Sequence, residues 1–176
     1  MHGCNGHMGQ VITGLIKDDP EIEIVAGVDP VDCRDNGYPV FPSIDKCTVE
    51  ADVIIDFTSA KAVDGLIAYS AEKKVPVVLC TTGLSEEQLK SLEEASSQVA
   101  VLRSANMSLG INMLMKILQD AAKILVPAGF DIEIVEKHHN RKLDAPSGTA
   151  LALADAINEG VLGGEYDYKY DRSHDH

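Results

Sequence analysis

The feature that most constrains the fold of this 176-residue chain is a series of short apolar segments alternating with helical ones. Segments rich in β-branched or apolar residues of this length are typical of strands, and continuous apolar runs are typical of parallel strands buried on both faces. They are EIEIVAGVD (21–29), ADVIIDFT (51–58), VPVVLC (75–80) and VAVLR (99–103). The helical segments between or before them span 7–19, 59–74 and 84–98, and the last begins with a capping box of Ser85 and Gln88. The alternation predicts an α/β fold with a Rossmann-like, doubly wound parallel sheet.

The pattern changes near residues 106–110. Beyond them the sequence predicts a long helix (111–126), a strand (131–139) and a second helix between Ser147 and Gly160. We therefore expect a dinucleotide-binding domain at 1–108 and an incomplete α+β substrate domain at 109–176. Only Met1 and His2 precede the first glycine motif, and a lone strand cannot satisfy its own backbone hydrogen bonds. We accordingly expect both the first strand and the second domain to be truncated.

Composition narrows the classes of function. The net charge of −13 argues against a nucleic-acid or anionic-membrane surface, which is bound through excess Lys and Arg. The chain has no apolar run long enough to span a membrane and no secretory signal pattern. Its four cysteines form no CxxC pair and no zinc-ligand spacing, so we expect reduced thiols, no metal site and a cytoplasmic location.

A glycine-rich loop opens the first predicted helix. GCNGHMG places Gly3, Gly6 and Gly9 three residues apart, and such loops let a backbone approach a pyrophosphate at a helix N-terminus. Asp29 lies twenty residues beyond Gly9, where a carboxylate can accept hydrogen bonds from ribose hydroxyls. The same residues could instead form an ordinary turn with a surface aspartate. Asp29 favours NADH, but Arg34 is near enough to assist NADPH, so the choice of cofactor stays open.

A basic cluster stands out in this acidic chain. KHHNRKLDAPSGT (137–149) places His138, His139 and Lys142 just before a helix whose first amides belong to Gly148 and Thr149. Imidazole and ammonium groups can transfer protons, and a helix N-terminus binds anions. The alternative is a solvated basic loop beside a capped helix. The concentration of cations at a helix N-terminus favours a site that holds a carboxylate and protonates a group beside it.

The segment EIVEKHHNRKLDAPSGTA (133–150) resembles the 4-hydroxy-tetrahydrodipicolinate reductase (dihydrodipicolinate reductase) family of lysine and diaminopimelate biosynthesis. It matches each fixed position of the family pattern H-H-x-x-K-x-D-x-P-S-G-T-A. GCNGHMG, VIIDFT, TTG and SANMSLGIN extend the resemblance in family order along the whole chain. The resemblance implies a homotetrameric, NADH- or NADPH-dependent reductase of a cyclic dicarboxylate, with a nicotinamide domain followed by a substrate domain.

The resemblance also implies roles for particular residues. His138 would be the catalytic proton donor and Lys142 its partner and a second candidate donor. His139 would contact substrate, while Gly148 and Thr149 would bind a carboxylate through their amides. The cofactor residues it implies are Gly3, Cys4, Asn5, Gly6, His7, Met8, Asp29, Cys80, Thr81, Thr82, Ser104, Ala105, Asn106 and Met107. Cys80 stands where the family usually has glycine, and Met107 where it usually has phenylalanine.

Two other functions compete with this interpretation. Another nicotinamide-dependent amino-acid dehydrogenase would explain the glycine loop but not the joined HHxxK and PSGT motifs. A non-catalytic NADH-binding sensor or a degenerate paralogue would bind cofactor without turnover, and the intact His138–Lys142 pair argues against decay of the site.

Overall fold

A computed structural model describes residues 1–31, 33–140, 145–161 and 166–170 of the chain. The chain divides into two compact units, Met1–Ser104 and Ala105–His176. Among the described residues, no helix is long and apolar enough to cross a membrane, and no cluster of three or more acidic, histidine or cysteine side chains could hold a metal ion.

The first unit is built around parallel strands. Strand β1 (Gly27–Val28) pairs with β2 (Val40–Phe41), and β4 (Val77–Leu79) lies between β3 (Ile54–Asp56) and β5 (Val101–Arg103). His2 joins the two groups through parallel bridges to Val28 and Asp56. The resulting strand order is β2-β1-His2-β3-β4-β5, with all strands parallel. The chain adds strands to one side of His2 and then to the other, so His2 lies at the topological switch point. Ligands of open α/β sheets bind beyond the carboxyl ends of the strands at such a point. This arrangement confirms the predicted Rossmann-like fold class.

Met1 itself takes part in the sheet. Its amino group donates a hydrogen bond to the Ala26 carbonyl at 2.7 Å, and its carbonyl accepts one from the Val28 amide at 2.9 Å. Burial lowers the pKa of this amino group, because a charged group loses its hydration there. Beside it, a groove of about 1030 Å³ opens between the segments that lead into β1 and β3.

The first unit contains three helices, of which the second and third contribute to the core together with the strands. The three helices are α1 (His7–Ile16), α2 (Ala60–Lys73) and α3 (Glu86–Ser96). The predicted capping box of α3 is present, with the Gln88 amide donating to Ser85 Oγ and the Ser85 amide to Gln88 Oε1. The core cluster comprises Val28, Ile44, Ile54, Val63, Leu66, Ile67, Val77, Leu79, Leu92 and Ala95.

The second unit consists mainly of two packed helices, α4 (Leu109–Leu125) and α5 (Gly148–Gly160). A β-carbon on Gly160 would lie 2.3 Å from the Gln119 carbonyl oxygen, so only glycine allows this close approach. Several apolar side chains of α4 remain exposed, including Leu109 (87%) and Ile124 (73%).

Three details of the prediction were wrong. Residues 131–139, predicted as a strand, have no ladder partner among the described residues and form no strand. Residues 35–45, DNGYPVFPSID, have Asn-Gly, Tyr-Pro and Phe-Pro pairs that predict a loop. They contain β2 and part of a short 3-10 helix, Ile44–Lys46, because parallel pairing with β1 outweighs these turn-forming residues. Gly160, expected just beyond α5, is its last residue because it packs against α4.

Candidate functional site

The glycine loop lies at the topological switch point of the sheet. Gly3 has a φ of +80°, and a β-carbon there would lie 2.7 Å from the Phe57 carbonyl oxygen. A β-carbon on Gly9 would lie 2.3 Å from the Gly3 carbonyl oxygen. The loop and the first turn of α1 are therefore in backbone contact with each other and with the end of β3. The N-cap of α1 is Gly6, which has no capping side chain, so the first amides of this helix are not held by an N-cap side chain and can bind an anion.

Asp29 stands beside this loop, as the sequence predicted. Its Oδ2 accepts a hydrogen bond from the Asn5 amide at 3.1 Å, and its Oδ1 accepts one from the Val31 amide at 3.1 Å. Each carboxylate oxygen retains a lone pair for a further donor. The structure thus brings the glycine loop and the predicted ribose acceptor together.

Two polar side chains that sequence reasoning missed hold the loop. Gln10 donates to the Cys4 carbonyl at 2.9 Å and to Asn36 Oδ1 at 2.7 Å. Asn36 in turn donates to Asn5 Oδ1 at 2.8 Å. Asn36 belongs to a segment read only as a turn, so no local pattern pointed to this contact.

A buried carboxylate links the ends of β3 and β4. Asp56 is fully buried, and its Oδ1 lies 2.7 Å from His2 Nδ1. Thr81 donates to Asp56 Oδ2 at 2.6 Å, and Thr58 donates to Oδ1 at 2.8 Å. Burial alone would raise the pKa of Asp56, but the hydrogen bonds from His2, Thr81 and Thr58 and the charge of His2 outweigh it, so the pKa is lowered. Asp56 therefore positions the predicted cofactor residue Thr81, and an acidic residue inside the apolar run VIIDFT was the available signal.

Replacing Asp56 with asparagine is expected to lower the free energy of unfolding by about 1–3 kcal/mol at neutral pH. The NH₂ group of asparagine would replace one carboxylate oxygen that accepts hydrogen bonds, and a donor would then face a donor. Denaturant unfolding measures the change, with the exposed residue Asp52→Asn as the matched control. The ordinary pKa of an aspartate, about 3.9, applies in the unfolded state. Because the folded state lowers the pKa of Asp56, its ionised carboxylate stabilises the folded protein at pH values above the ordinary pKa. We expect the difference between wild type and variant to shrink as pH falls through the lowered pKa. A difference that is absent at neutral pH would contradict this role.

Three further predicted cofactor residues of the first unit, Cys80, Thr82 and Ser104, lie at neighbouring strand ends. Cys80 follows β4 and is 8% exposed, and burial with the nearby charge of Asp56 raises its pKa to about 11. Its thiol is consequently protonated at neutral pH. Thr82 is exposed. The Ser104 amide donates a hydrogen bond to the carbonyl of Leu79, the last residue of β4, at 3.1 Å.

In the second unit, the residues before α4 contact the start of α5. Asn106 donates to Thr149 Oγ1 at 3.0 Å, and its Oδ1 accepts from the Ser108 amide at 2.8 Å. Ala105 and Met107 on either side of Asn106 are exposed. The predicted cofactor segment 105–107 and the predicted carboxylate site are thereby brought together within this unit.

The histidine motif contacts the same helix end through a residue that the sequence prediction missed. His138 Nε2 lies 2.6 Å from Glu136 Oε2, and Glu136 Oε1 accepts a hydrogen bond from the Ser147 amide at 2.9 Å. Ser147 caps α5 by accepting from the Ala150 amide at 3.0 Å. The amides of Gly148 and Thr149 lie in the first turn, where helix geometry provides no intrahelical acceptor. His139 is exposed, and Lys142 lies outside the described residues.

The sheet is parallel, its switch point carries a glycine loop, and an acidic residue lies beside that loop. These features together define a dinucleotide-binding α/β protein. Models of the N-terminus and the C-terminus of dihydrodipicolinate reductase match residues 1–107 and 110–175. The chain belongs to the dihydrodipicolinate reductase family, and the predicted family, its NAD(P)H cofactor and its reductase function are confirmed at that level.

Individual relatives agree with this assignment. The chain is 54% identical over 176 residues to the 4-hydroxy-tetrahydrodipicolinate reductase of Caldanaerobacter subterraneus subsp. tengcongensis, a match that covers 98% of this chain and 67% of that protein. It is 50% identical over 171 residues to the enzyme of the same name from Clostridium tetani, covering 97% of this chain and 66% of that protein. The chain thus spans about two thirds of the length of these relatives.

A solved structure resembles the chain as well. Dihydrodipicolinate reductase from Paenisporosarcina sp. TG-14, with dipicolinate bound, superposes with a TM-score of 0.72 at 28% identity. The match covers 97% of this chain and 68% of that one.

Proposed function

We propose that the protein represented by this chain reduces 4-hydroxy-tetrahydrodipicolinate, with residues 1–108 binding the nicotinamide cofactor and residues 109–176 forming part of the substrate domain. The observation that carries the proposal is the local cluster at the start of α5. There Glu136 contacts both the imidazole of His138 and the amide of Ser147, so a proton donor lies beside a helix end suited to a carboxylate.

The first unit is suited to a dinucleotide. The amides of the first turn of α1, after Gly6, would bind the pyrophosphate, and Asp29 would accept hydrogen bonds from the ribose. The family resemblance assigns further residues to cofactor binding, namely Gly3, Cys4, Asn5, His7, Met8, Cys80, Thr81, Thr82, Ser104, Ala105, Asn106 and Met107. When bound, the nicotinamide supplies the hydride.

The second unit would hold the substrate and provide the proton. The amides of Gly148 and Thr149 bind one carboxylate of the cyclic dicarboxylate, and His139 contacts the same substrate. His138 protonates the ring position next to the one that receives hydride, and Lys142 supports it as partner and second donor. The bound dicarboxylate of the similar solved structure supports a ligand of this kind.

The resemblance to the family also bears on assembly and location. We propose a homotetramer in the cytoplasm, and sedimentation of the purified protein measures the first of these. The preference between NADH and NADPH follows from direct titration with each cofactor.

Titration with dipicolinate tests the substrate site in the chain itself. In the presence of NADH, we expect dipicolinate to shift the amide resonances of Gly148 and Thr149, whereas benzoate, which has one carboxylate, shifts them far less. Substrate-dependent oxidation of NADH measures the reaction. Binding of NADH without dipicolinate binding and without turnover would support the sensor and refute the proposal.

A further inference from the structure

Glu136 occupies a bridging position that the family resemblance did not assign. It precedes His138 by two residues, and the two side chains are in direct contact. Its two carboxylate oxygens serve different partners: Oε2 faces His138 Nε2 at 2.6 Å, and Oε1 accepts from the Ser147 amide at 2.9 Å. The Glu136 side chain is 26% exposed and that of His138 is 38% exposed.

The carboxylate is ionised over the whole working range of pH. Hydrogen bonds from His138 and Ser147 hold the pKa of Glu136 at about 2. An ionised carboxylate can only accept hydrogen bonds, so the imidazole nitrogen that faces it must carry a hydrogen. Nε2 is therefore the protonated nitrogen of His138 in the neutral imidazole as well as in the imidazolium.

We propose that Glu136 is a positioning residue that fixes the tautomer and orientation of His138 and holds it at the N-terminus of α5. With Nε2–H retained by Glu136, the proton delivered to substrate is the one on Nδ1. The imidazolium loses its Nδ1 proton to the substrate carbon and becomes neutral imidazole with Nε2–H still bound to the carboxylate. A carboxylate that orients a histidine in this way also stabilises the imidazolium before transfer.

The catalytic part of this proposal rests on the function proposed for His138, whereas the tautomer does not. The same carboxylate explains how the proton donor and the carboxylate-binding amides keep a fixed separation. His138 is two residues from Glu136, while Ser147 is eleven residues further along the chain than Glu136. Without Glu136, no contact described by the structure would tie the imidazole to the start of α5.

Glu136→Gln tests the proposal, because it preserves side-chain volume and retains a carbonyl oxygen for the Ser147 amide. Its NH₂ group then faces His138 and requires Nε2 to become an acceptor. In protein with isotope-labelled histidine, we expect the nitrogen resonances of neutral His138 to switch from the Nε2–H to the Nδ1–H tautomer. We expect kcat to fall on the order of a hundredfold, with the KM for substrate and the Kd for NADH changed less than about threefold.

Asp131→Asn is the matched control, since it converts an exposed carboxylate to an amide in the same segment and should leave the tautomer and kcat unchanged. Glu136→Asp, one methylene shorter, should restore the Nε2–H tautomer and part of the activity. An unchanged tautomer in Glu136→Gln would overturn the proposal. A switched tautomer with unchanged kcat would support the positioning contact and overturn the proton-donor role proposed for His138.

Discussion

Replacing Gly9 with alanine is expected to weaken NADH binding at least about 100-fold. The new β-carbon would lie 2.3 Å from the Gly3 carbonyl oxygen and 2.6 Å from that of Cys4. Both are backbone atoms of the loop, so relief requires the loop and α1 to move apart, at a cost of about 3 kcal/mol, the upper end for overpacking. Such a shift removes the helix amides from the position where a pyrophosphate binds. Fluorescence titration with NADH measures the loss.

Gly14→Ala provides the matched control on the same helix. A β-carbon at position 14 meets no atom within 4 Å, and alanine is the better helix former. We expect it to leave NADH binding unchanged and to raise the free energy of unfolding by about 0.5–1 kcal/mol. Equal losses of NADH binding in both variants would show that the contact between Gly9 and the loop is not what matters.

His138→Gln is expected to lower kcat by about 10²- to 10⁴-fold, the range typical of a lost general acid. Glutamine retains an amide that can contact Glu136, but it cannot release a proton near neutral pH. Because we propose that the glycine loop and Asp29 of the first unit bind NADH, the Kd for NADH should change little. Steady-state NADH oxidation and single-turnover measurements separate the proton-transfer step from binding.

Lys142→Ala should also lower kcat, and comparison of the two variants distinguishes the donor from its partner. If His138 donates the proton, His138→Gln has the larger effect at saturating substrate. Wild-type turnover in both variants would refute the roles assigned to this pair.

The alternation of strands and helices in the first unit was predictable because each element carries its own signal. Apolar runs mark buried strands, and the Ser85–Gln88 capping box marks the start of α3. Pairing is not local, and this explains the errors. Residues 131–139 have the composition of a strand but find no pairing partner in the part of the chain that the structure describes. Val40 and Phe41 lie among prolines but align with β1.

The residues of the candidate site likewise divide into those that local sequence patterns predict and those that depend on contacts between distant segments. Motifs located the glycine loop, Asp29 and the histidine cluster, because their chemistry depends on spacing along the chain. Asp56, Gln10 and Asn36 act through contacts between distant segments, such as the bond from Gln10 to Asn36 across 26 positions. Glu136 could have been found from its two-residue spacing to His138, whereas its contact with Ser147 depends on how the intervening loop folds.

The groove beside Met1 has a practical consequence for engineering the surface of this unit. The amino nitrogen of Met1 donates to Ala26 between the segments leading into β1 and β3. Apolar side chains such as Ile24 and Ile55 line the groove beside it. A polar side chain at either position would bring a hydrophilic group into this groove, whereas valine would keep the apolar lining and the preference for extended backbone.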